Sequence, residues 1–331
     1  MKIKTLTLAV LLATSLTGVA DACTSVAWNT HFGTVTTRTM DWVESTHPVL
    51  GNINKGDMRA IQGNGIGDKY EVKYDVVAIF AYGELVGDGM NSEGLQVNTL
   101  FYPRMSMEPV TNTSQITQFS FGEYLLTNYA SVEEVVKALP TLDFGRLTLE
   151  GMPMEMNLHW SVTDKSGDRL VVEMDEGKIS TYRGEDAMVM TNDPSQKEQI
   201  AKRKELSASW EDADRDTDYG SIGNGNAQSR YLHASYFSSK LSKPTSVHNA
   251  MMKLSTVPFR VPADAPYLDF GNGAGMSGYA TEWTMTQSIE TGDTVFEYNF
   301  NDNWNTVQFN VYEMMGKQFR IPLDKSVMAQ Y

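Results

Sequence analysis

Short runs in which apolar and polar residues alternate recur along the whole chain, each closed by Gly, Asn, Asp or Pro. A period of two predicts half-buried strands. "TSVAWNT" and "GTVTTRTMDW" predict a hairpin turning at His31-Phe32-Gly33. "DVVAIFAYGEL" and "GLQVNTLFY" predict a further pair with "GDGMNSEG" as the turn between them. "LHWSVTD" and "DRLVVEMD" flank Lys165-Ser166-Gly167, followed by "KISTYRG" and "AMVMTND". Near the C-terminus "TEWTMTQSIET", "TVFEYNFND" and "NTVQFNVYEM" predict a meander. Helical spacing marks "QFSFGEYLLTNYA", "SRYLHASYFSSKL" and "SVHNAMMKLSTV". "SVEEVVKALP" adds Ser131 and Glu134 in capping-box spacing and a stop at Pro140. Groups of strands separated by groups of helices predict one α+β domain over residues 23–331, with two sheets inside and helices outside. The stretch from Ser207 to Asn226, with "EDADRD" and then "GSIGNGN", reads as a loop.

The first 22 residues break this pattern. Lys2 and Lys4 precede a mostly apolar run from Leu6 to Val19, and Ala20-Asp21-Ala22 has the small-x-small form of a cleavage site. These features predict a secretory signal over residues 1–22 and a periplasmic or secreted product. That run is short for a bilayer, and no later segment approaches the roughly 20 apolar residues a membrane span needs. A formal net charge of −14 without a basic cluster argues against nucleic-acid and anionic-membrane partners. Small neutral or amphipathic substrates remain open.

Cutting after Ala22 makes Cys23, the single cysteine, the first residue of the product. One cysteine closes no internal disulfide. It can be a lipoprotein cysteine on a binding protein, a leftover buried thiol, or an N-terminal nucleophile whose α-amine is its base. The lipoprotein reading suits the site poorly, since such sites usually place Leu at the third position before the cysteine and small residues between, where this chain has Ala20 and acidic Asp21. The nucleophile reading has a chemical rationale. An α-amine titrates at about 7.7–8.0, so near neutral pH it can take the thiol proton and later return one to a leaving amine. On the returning strand of the predicted hairpin, Arg38 would favour a thiolate and Asp41 would orient the amine. Taken alone, an Arg and an Asp on a strand are more often surface charges.

Five separated stretches settle the weighting: "CTSVAWNT" with "TRTMDW", then "GMNSEGL", "LHWSVTDKSGDRLVVE", "MTNDP" and "SRYLHASYF". In content and order they resemble the choloylglycine hydrolase family, which contains penicillin V acylases and conjugated bile acid hydrolases. The likeness continues through "TEWTMTQSIETGDTVFEYNF" and so covers nearly all of residues 23–331. It implies a four-layer αββα Ntn-hydrolase sandwich of two antiparallel sheets flanked by helices. It also implies hydrolysis of a linear carbon–nitrogen bond in a small N-acyl amide, without a cofactor, by a homotetramer. By motif match Cys23 is the nucleophile and Arg38 and Asp41 its partners. Asn192 of "MTNDP" is the oxyanion donor, and Arg230 of "QSRY" lies near the thiol. Without the resemblance, Asn192 reads as a turn residue before Pro194 and Arg230 as a solvated helix residue.

One departure bears on substrate. Bile acid hydrolases read "LNFP" where this chain has "LFYP", Leu100–Pro103. Phe101 replaces a side-chain amide, leaving its backbone N–H to serve the oxyanion and making the wall around Phe101 and Tyr102 aromatic. Trp42 resembles the substrate-stacking tryptophan of Gram-negative penicillin V acylases, against the alternative of a core aromatic. The expectation is therefore an exported penicillin V acylase, with acyl-homoserine lactone acylase activity beside it and conjugated bile acid hydrolase as the alternative. No metal site is expected. His31, His47, His159, His233 and His248 show no ligand spacing, and His159 within "LHWSV" reads as a satisfied core or surface histidine. "GNGN" at 223–226 lacks the Lys of a phosphate loop.

Overall fold

The computed structural model describes residues 23–42, 45–148, 156–211, 220, 226–261, 280–300 and 303–324. The expected leader and most of the expected loop from Ser207 to Asn226 lie outside them. One sheet has six strands in the order Val189–Thr191 (β12), Thr24–Thr30 (β1), Gly33–Trp42 (β2), Ala280–Ser288 (β13), Asp293–Phe300 (β14) and Asn303–Asn310 (β15). The other has eight: Lys178–Arg183 (β11), Arg169–Asp175 (β10), Leu158–Thr163 (β9), Gln96–Phe101 (β8), Leu85–Asn91 (β7), Val76–Ala81 (β6), Val49–Ile53 (β3) and Arg320–Pro322 (β16). Met58–Ala60 (β4) and Lys69–Glu71 (β5) form a small ribbon. Every pairing in these sheets is antiparallel.

The burial of alternate residues shows how the layers stack. Along β6, Val76, Ala78 and Phe80 point into a cluster with Phe121, Leu125 and Leu126 of helix Phe121–Asn128 (α1) and with Val132 and Val135 of helix Val132–Ala138 (α2). Val77 and Ile79 point the other way, onto Trp283, Met285 and Phe296 of the six-stranded sheet. That sheet's far face, at Val26, Val35 and Val189, is covered by Tyr231 and Leu232 of helix Ala227–Ser239 (α4) and Met251 and Leu254 of helix Val247–Ser255 (α5). The result is the expected α+β order of helix, sheet, sheet, helix.

The first hairpin runs as expected, with β1 and β2 on either side of the turn. Ser131 caps α2 by accepting from the Glu134 N–H at 3.2 Å, but the Glu134 carboxylate reaches back to the Ala130 N–H instead of the cap's own. Three expectations need correction. "GDGMN" is not a turn but the inner part of β7. Gly89 gives no propensity signal for a strand, yet a Cβ there would lie 2.9 Å from Leu126 Cδ1 and from Ala78 Cβ, so the glycine lets α1 seat against the sheet. "AMVMTND" yields only the three residues of β12, and "NTVQFNVYEM" leaves the strand at Asn310 for the short helix Val311–Met314 (α6). The pattern also hides helix Gln196–Ser207 (α3), which has almost no apolar stripe. Its legible signal is the full capping box between Ser195 and Glu198.

Candidate active site

The hairpin register places the first two residues. Thr24 pairs with Thr39 and Ser25 with Arg38, so Cys23, one residue before β1, lies opposite Met40 with Asp41 just beyond. The Asp41 N–H points at Cys23 Sγ at 3.5 Å, and Met40 Sδ is 3.9 Å from the sulfur. On its other side β2 pairs with β13, which brings Thr281 beside Asp41. Thr281 donates to Asp41 Oδ1 at 2.5 Å and Thr39 to Oδ2 at 3.1 Å, fixing the carboxylate from both flanks.

Arg38 projects between the sheets. Its Nη2 donates to the Thr99 carbonyl at 2.5 Å, its Nε is 3.4 Å from Asp88 Oδ2, and its guanidinium lies 4.4 Å from the centre of the Trp283 ring. Asp88 had no place in the sequence reading because it sits in "GDG"; here it is fully buried and also accepts from Asn98 at 2.7 Å.

β12 pairs with β1 and delivers Asn192 one residue past its end. Asn192 Nδ2 donates to the Phe101 carbonyl at 2.7 Å, and Asn192 Oδ1 accepts from Arg230 Nη2 at 3.1 Å. Arg230 comes from the first turn of α4, where Asn226 provides the cap. It is buried rather than solvated, because Nη1 donates to the Cys23 carbonyl at 2.5 Å and to Thr24 Oγ1 at 3.0 Å. Phe101 forms a wide pair with Leu158, since it is Tyr102 N–H that bonds to Asn157 O, at 2.8 Å. The Phe101 N–H and carbonyl therefore leave the same edge of β8, on the side where Asn192 sits. The structure thus brings Cys23, Arg38, Asp41, Asn192 and Arg230 into one constellation.

Burial dominates the electrostatics. It pushes the Cys23 thiol up to about 11, against the pull of Arg38; Asp41 adds to the rise, while its backbone N–H and Arg230 oppose it. Surrounded by these groups alone, the sulfur stays protonated at neutral pH and needs a base. Burial also lifts Asp41 to about 6, opposed by Arg230, by the Thr281 and Thr39 hydroxyls and by Arg38. Asp41 is then an anion at pH 7. Asp88 is raised to about 6 by the same cause, with Arg38, Asn98 and the Thr99 N–H opposing.

A cleft of about 660 Å³, its open mouth included, leads to the sulfur. Cys23, Arg38, Met40, Trp42, Tyr82 and Phe101 line it, together with apolar Ile79, Leu85, Val86 and Leu158. Trp42 and Phe101 meet at 5.5 Å between ring centres, and the Trp42 indole donates to the Tyr82 hydroxyl at 2.7 Å. Tyr102 does not line the cleft. It is fully buried and stacks on His159 at 4.8 Å. The Tyr102 N–H still bonds to Asn157 O, so Tyr102 continues the ladder past Phe101 and its side chain leaves on the opposite side from that of Phe101. His159 is also fully buried; its Nδ1 is 3.5 Å from Glu173 Oε1, and neither ring nitrogen makes a hydrogen bond, unlike the satisfied histidine expected. Among the described residues there is no group of three or more His, Cys, Asp or Glu arranged to hold a metal, and no helix long and apolar enough to cross a membrane.

The chain is similar to known proteins. Residues 23–321 match the family model "Linear amide C-N hydrolases, choloylglycine hydrolase family". The chain is 28% identical over 218 residues to a penicillin V acylase of Pectobacterium atrosepticum, covering 61% of this chain and 55% of that enzyme. It thus spans about half the length of that curated relative. The solved penicillin V acylase of Agrobacterium tumefaciens superposes with a TM-score of 0.70 at 25% identity, covering 87% of this chain and 86% of the other. A cysteine-to-alanine mutant of the conjugated bile acid hydrolase of Clostridium perfringens shares the fold, with a TM-score of 0.70 at 21% identity over 87% of this chain and 92% of that one. With a match that begins at Cys23 itself and runs to β16, the chain belongs to the choloylglycine hydrolase family of linear amide C–N hydrolases.

Proposed function

We propose that this protein is an exported N-acyl amide hydrolase of the penicillin V acylase type, in which removal of residues 1–22 turns Cys23 into nucleophile and base at once. The observation that carries the reading is the cleft itself: the single cysteine lines it together with Trp42 and Phe101.

The chemistry follows from the geometry. The freed α-amine accepts the thiol proton, Asp41 beside it steadies the resulting ammonium, and the cations Arg38 and Arg230 favour the thiolate. The sulfur attacks the acyl carbonyl, whose oxygen gains charge between the Phe101 N–H and the Asn192 amide, which carries a second N–H besides the one given to Phe101 O. Collapse breaks the C–N bond, and the ammonium returns its proton to the leaving amine. Water, deprotonated by the same amine, then attacks the thioester and releases the acid and the thiol. A lipid thioether suits this cysteine poorly, because Cys23 is only 2% exposed.

The aromatic wall favours an aryloxyacetyl group over a flexible acyl chain. The test is a side-by-side assay of a phenoxyacetyl amide, a long-chain acyl-homoserine lactone and a glycine-conjugated bile acid. The highest kcat/KM is expected on the phenoxyacetyl substrate. A clear preference for the bile conjugate would move the assignment to the other branch of the family.

A further inference from the structure

Arg169 lies at the start of β10, fully buried between the sheets. Its Nε donates to the Ala187 carbonyl at 2.8 Å and its Nη1 to Thr163 Oγ1 at 3.2 Å. Its Nη2 divides between Ser161 Oγ on the eight-stranded sheet, at 3.0 Å, and Ser25 Oγ on the six-stranded sheet, at 2.7 Å. All four acceptors are neutral, and among the described residues no carboxylate lies within 4 Å of the guanidinium. A charge buried without a counter-ion carries a desolvation cost that hydrogen bonds to neutral groups only partly offset. Burial alone pushes this guanidinium down to about 9, and it remains a cation at neutral pH.

Its hydrogen bonds show where the field goes. Ser25 is two residues from Cys23 on the same face of β1, and its hydroxyl donates to Asn98 Oδ1 at 2.8 Å. Asn98 donates to Asp88 at 2.7 Å, and Asp88 faces Arg38. Arg169, Ser25, Asn98, Asp88 and Arg38 therefore form a continuous polar chain across the inter-sheet layer, tied to the strand that carries the sulfur. We propose that Arg169 is a positioning residue for Cys23: through Ser25 it fixes the first residues of β1 against the second sheet and adds positive potential that favours the thiolate. This rests on the reading of Cys23 as nucleophile.

The groups that face Cys23 are Arg38 and Asp41 from β2, Arg230 from α4 and, through Arg38, Asp88 from β7. Arg169→Gln, Ser25→Ala and Ser161→Ala leave all of them in place. In processed enzyme beginning at Cys23, the pH dependence of iodoacetamide alkylation reads the thiol directly, because the chain has one cysteine. Arg169→Gln is expected to move the profile to higher pH and slow alkylation at pH 7 by about tenfold, the size of one pKa unit, with kcat/KM falling alongside. Ser25→Ala should shift it in the same direction by less. Ser161→Ala, which removes an equal bond to Arg169 but none to β1, should leave the profile at its wild-type position. If Arg169→Gln fails to fold, the contrast between the two serine variants decides. Unchanged profiles in Arg169→Gln and Ser25→Ala, or equal shifts in Ser25→Ala and Ser161→Ala, would overturn the proposal. If alkylated wild-type enzyme keeps its activity, the nucleophile reading fails instead.

Discussion

The two faces of the eight-stranded sheet have opposite characters. On the face under α1 and α2, Trp160 and Val162 of β9 and Leu170, Val172 and Met174 of β10 pack with Phe121 and Leu125 as a dry core. On the face toward the other sheet, the same strands present His159, Ser161, Thr163 and Arg169, and β7 and β8 add Asp88, Gln96 and Asn98. Yet the two faces are equally buried, so burial does not tell a frame from a site. The difference lies in the hydrogen bonds. Gln96 reaches across the layer to Thr36 at 2.8 Å and Gln287 at 2.6 Å, and Arg169 and Arg38 extend that lattice toward Cys23. The outer face holds the strands by apolar burial, and the inner face uses that rigidity to keep charges where water cannot screen them.

The contrast breaks most visibly at Trp160. Trp160→Ala should cost about 3–5 kcal/mol of stability through lost burial and a cavity beside Phe121, while activity per folded molecule stays close to wild type. Denaturant melts paired with active-site titration check it. Asn192→Ala should do the reverse. Its kcat is expected to fall by about 10²–10³, with KM little changed, if the amide acts on the charged transition state as proposed. A smaller effect is expected of Gly89→Ala, where a Cβ must displace Leu126 or Ala78; overpacking of this kind costs about 1–3 kcal/mol. The mildest is Trp42→Ala, which removes a ring contact worth about 0.5–1.5 kcal/mol. Its kcat/KM should drop further on a phenoxyacetyl amide than on a long-chain acyl-homoserine lactone. Equal losses would make Trp42 a packing residue.

Acid pH separates the faces without mutation. Asp41 and Asp88 titrate near 6 in the fold and near 3.8 in the unfolded chain, so the folded state holds extra protons between those values. Their contribution to stability therefore falls as pH rises from about 4 to about 6 and is level above it. Activity should run the opposite way, because in the proposed mechanism only ionised Asp41 steadies the ammonium. A pH profile of kcat/KM is expected to fall below about 6, and Asp41→Asn should lose most of its turnover and this limb with it.

Sequence reading reached the site more fully than the frame around it. The alternation in "TSVAWNT" and "GTVTTRTMDW" fixed the hairpin, and the register of a hairpin is enough to bring Arg38 and Asp41 to Cys23. The roles of Asn192 and Arg230 were legible only by resemblance, since contacts as distant in sequence as Arg230 to Cys23 leave no local periodicity. Asp88 was missed because a carboxylate between two glycines reads as a turn, although tertiary packing makes it a buried strand residue. Tyr102 was misplaced because adjacency to Phe101 on a continuing ladder puts its side chain on the opposite side. α3 escaped because it buries Gln196, Gln199 and Arg203 in place of an apolar stripe.

The central claim is that one cut supplies both nucleophile and base. Intact-mass measurement of the active protein, with N-terminal sequencing, tests it most directly. The account predicts a chain that begins at Cys23 with a free amine, and inactivation in step with modification of that amine or its thiol. Full activity in a chain that begins at any other residue, or that carries lipid on Cys23, would contradict it.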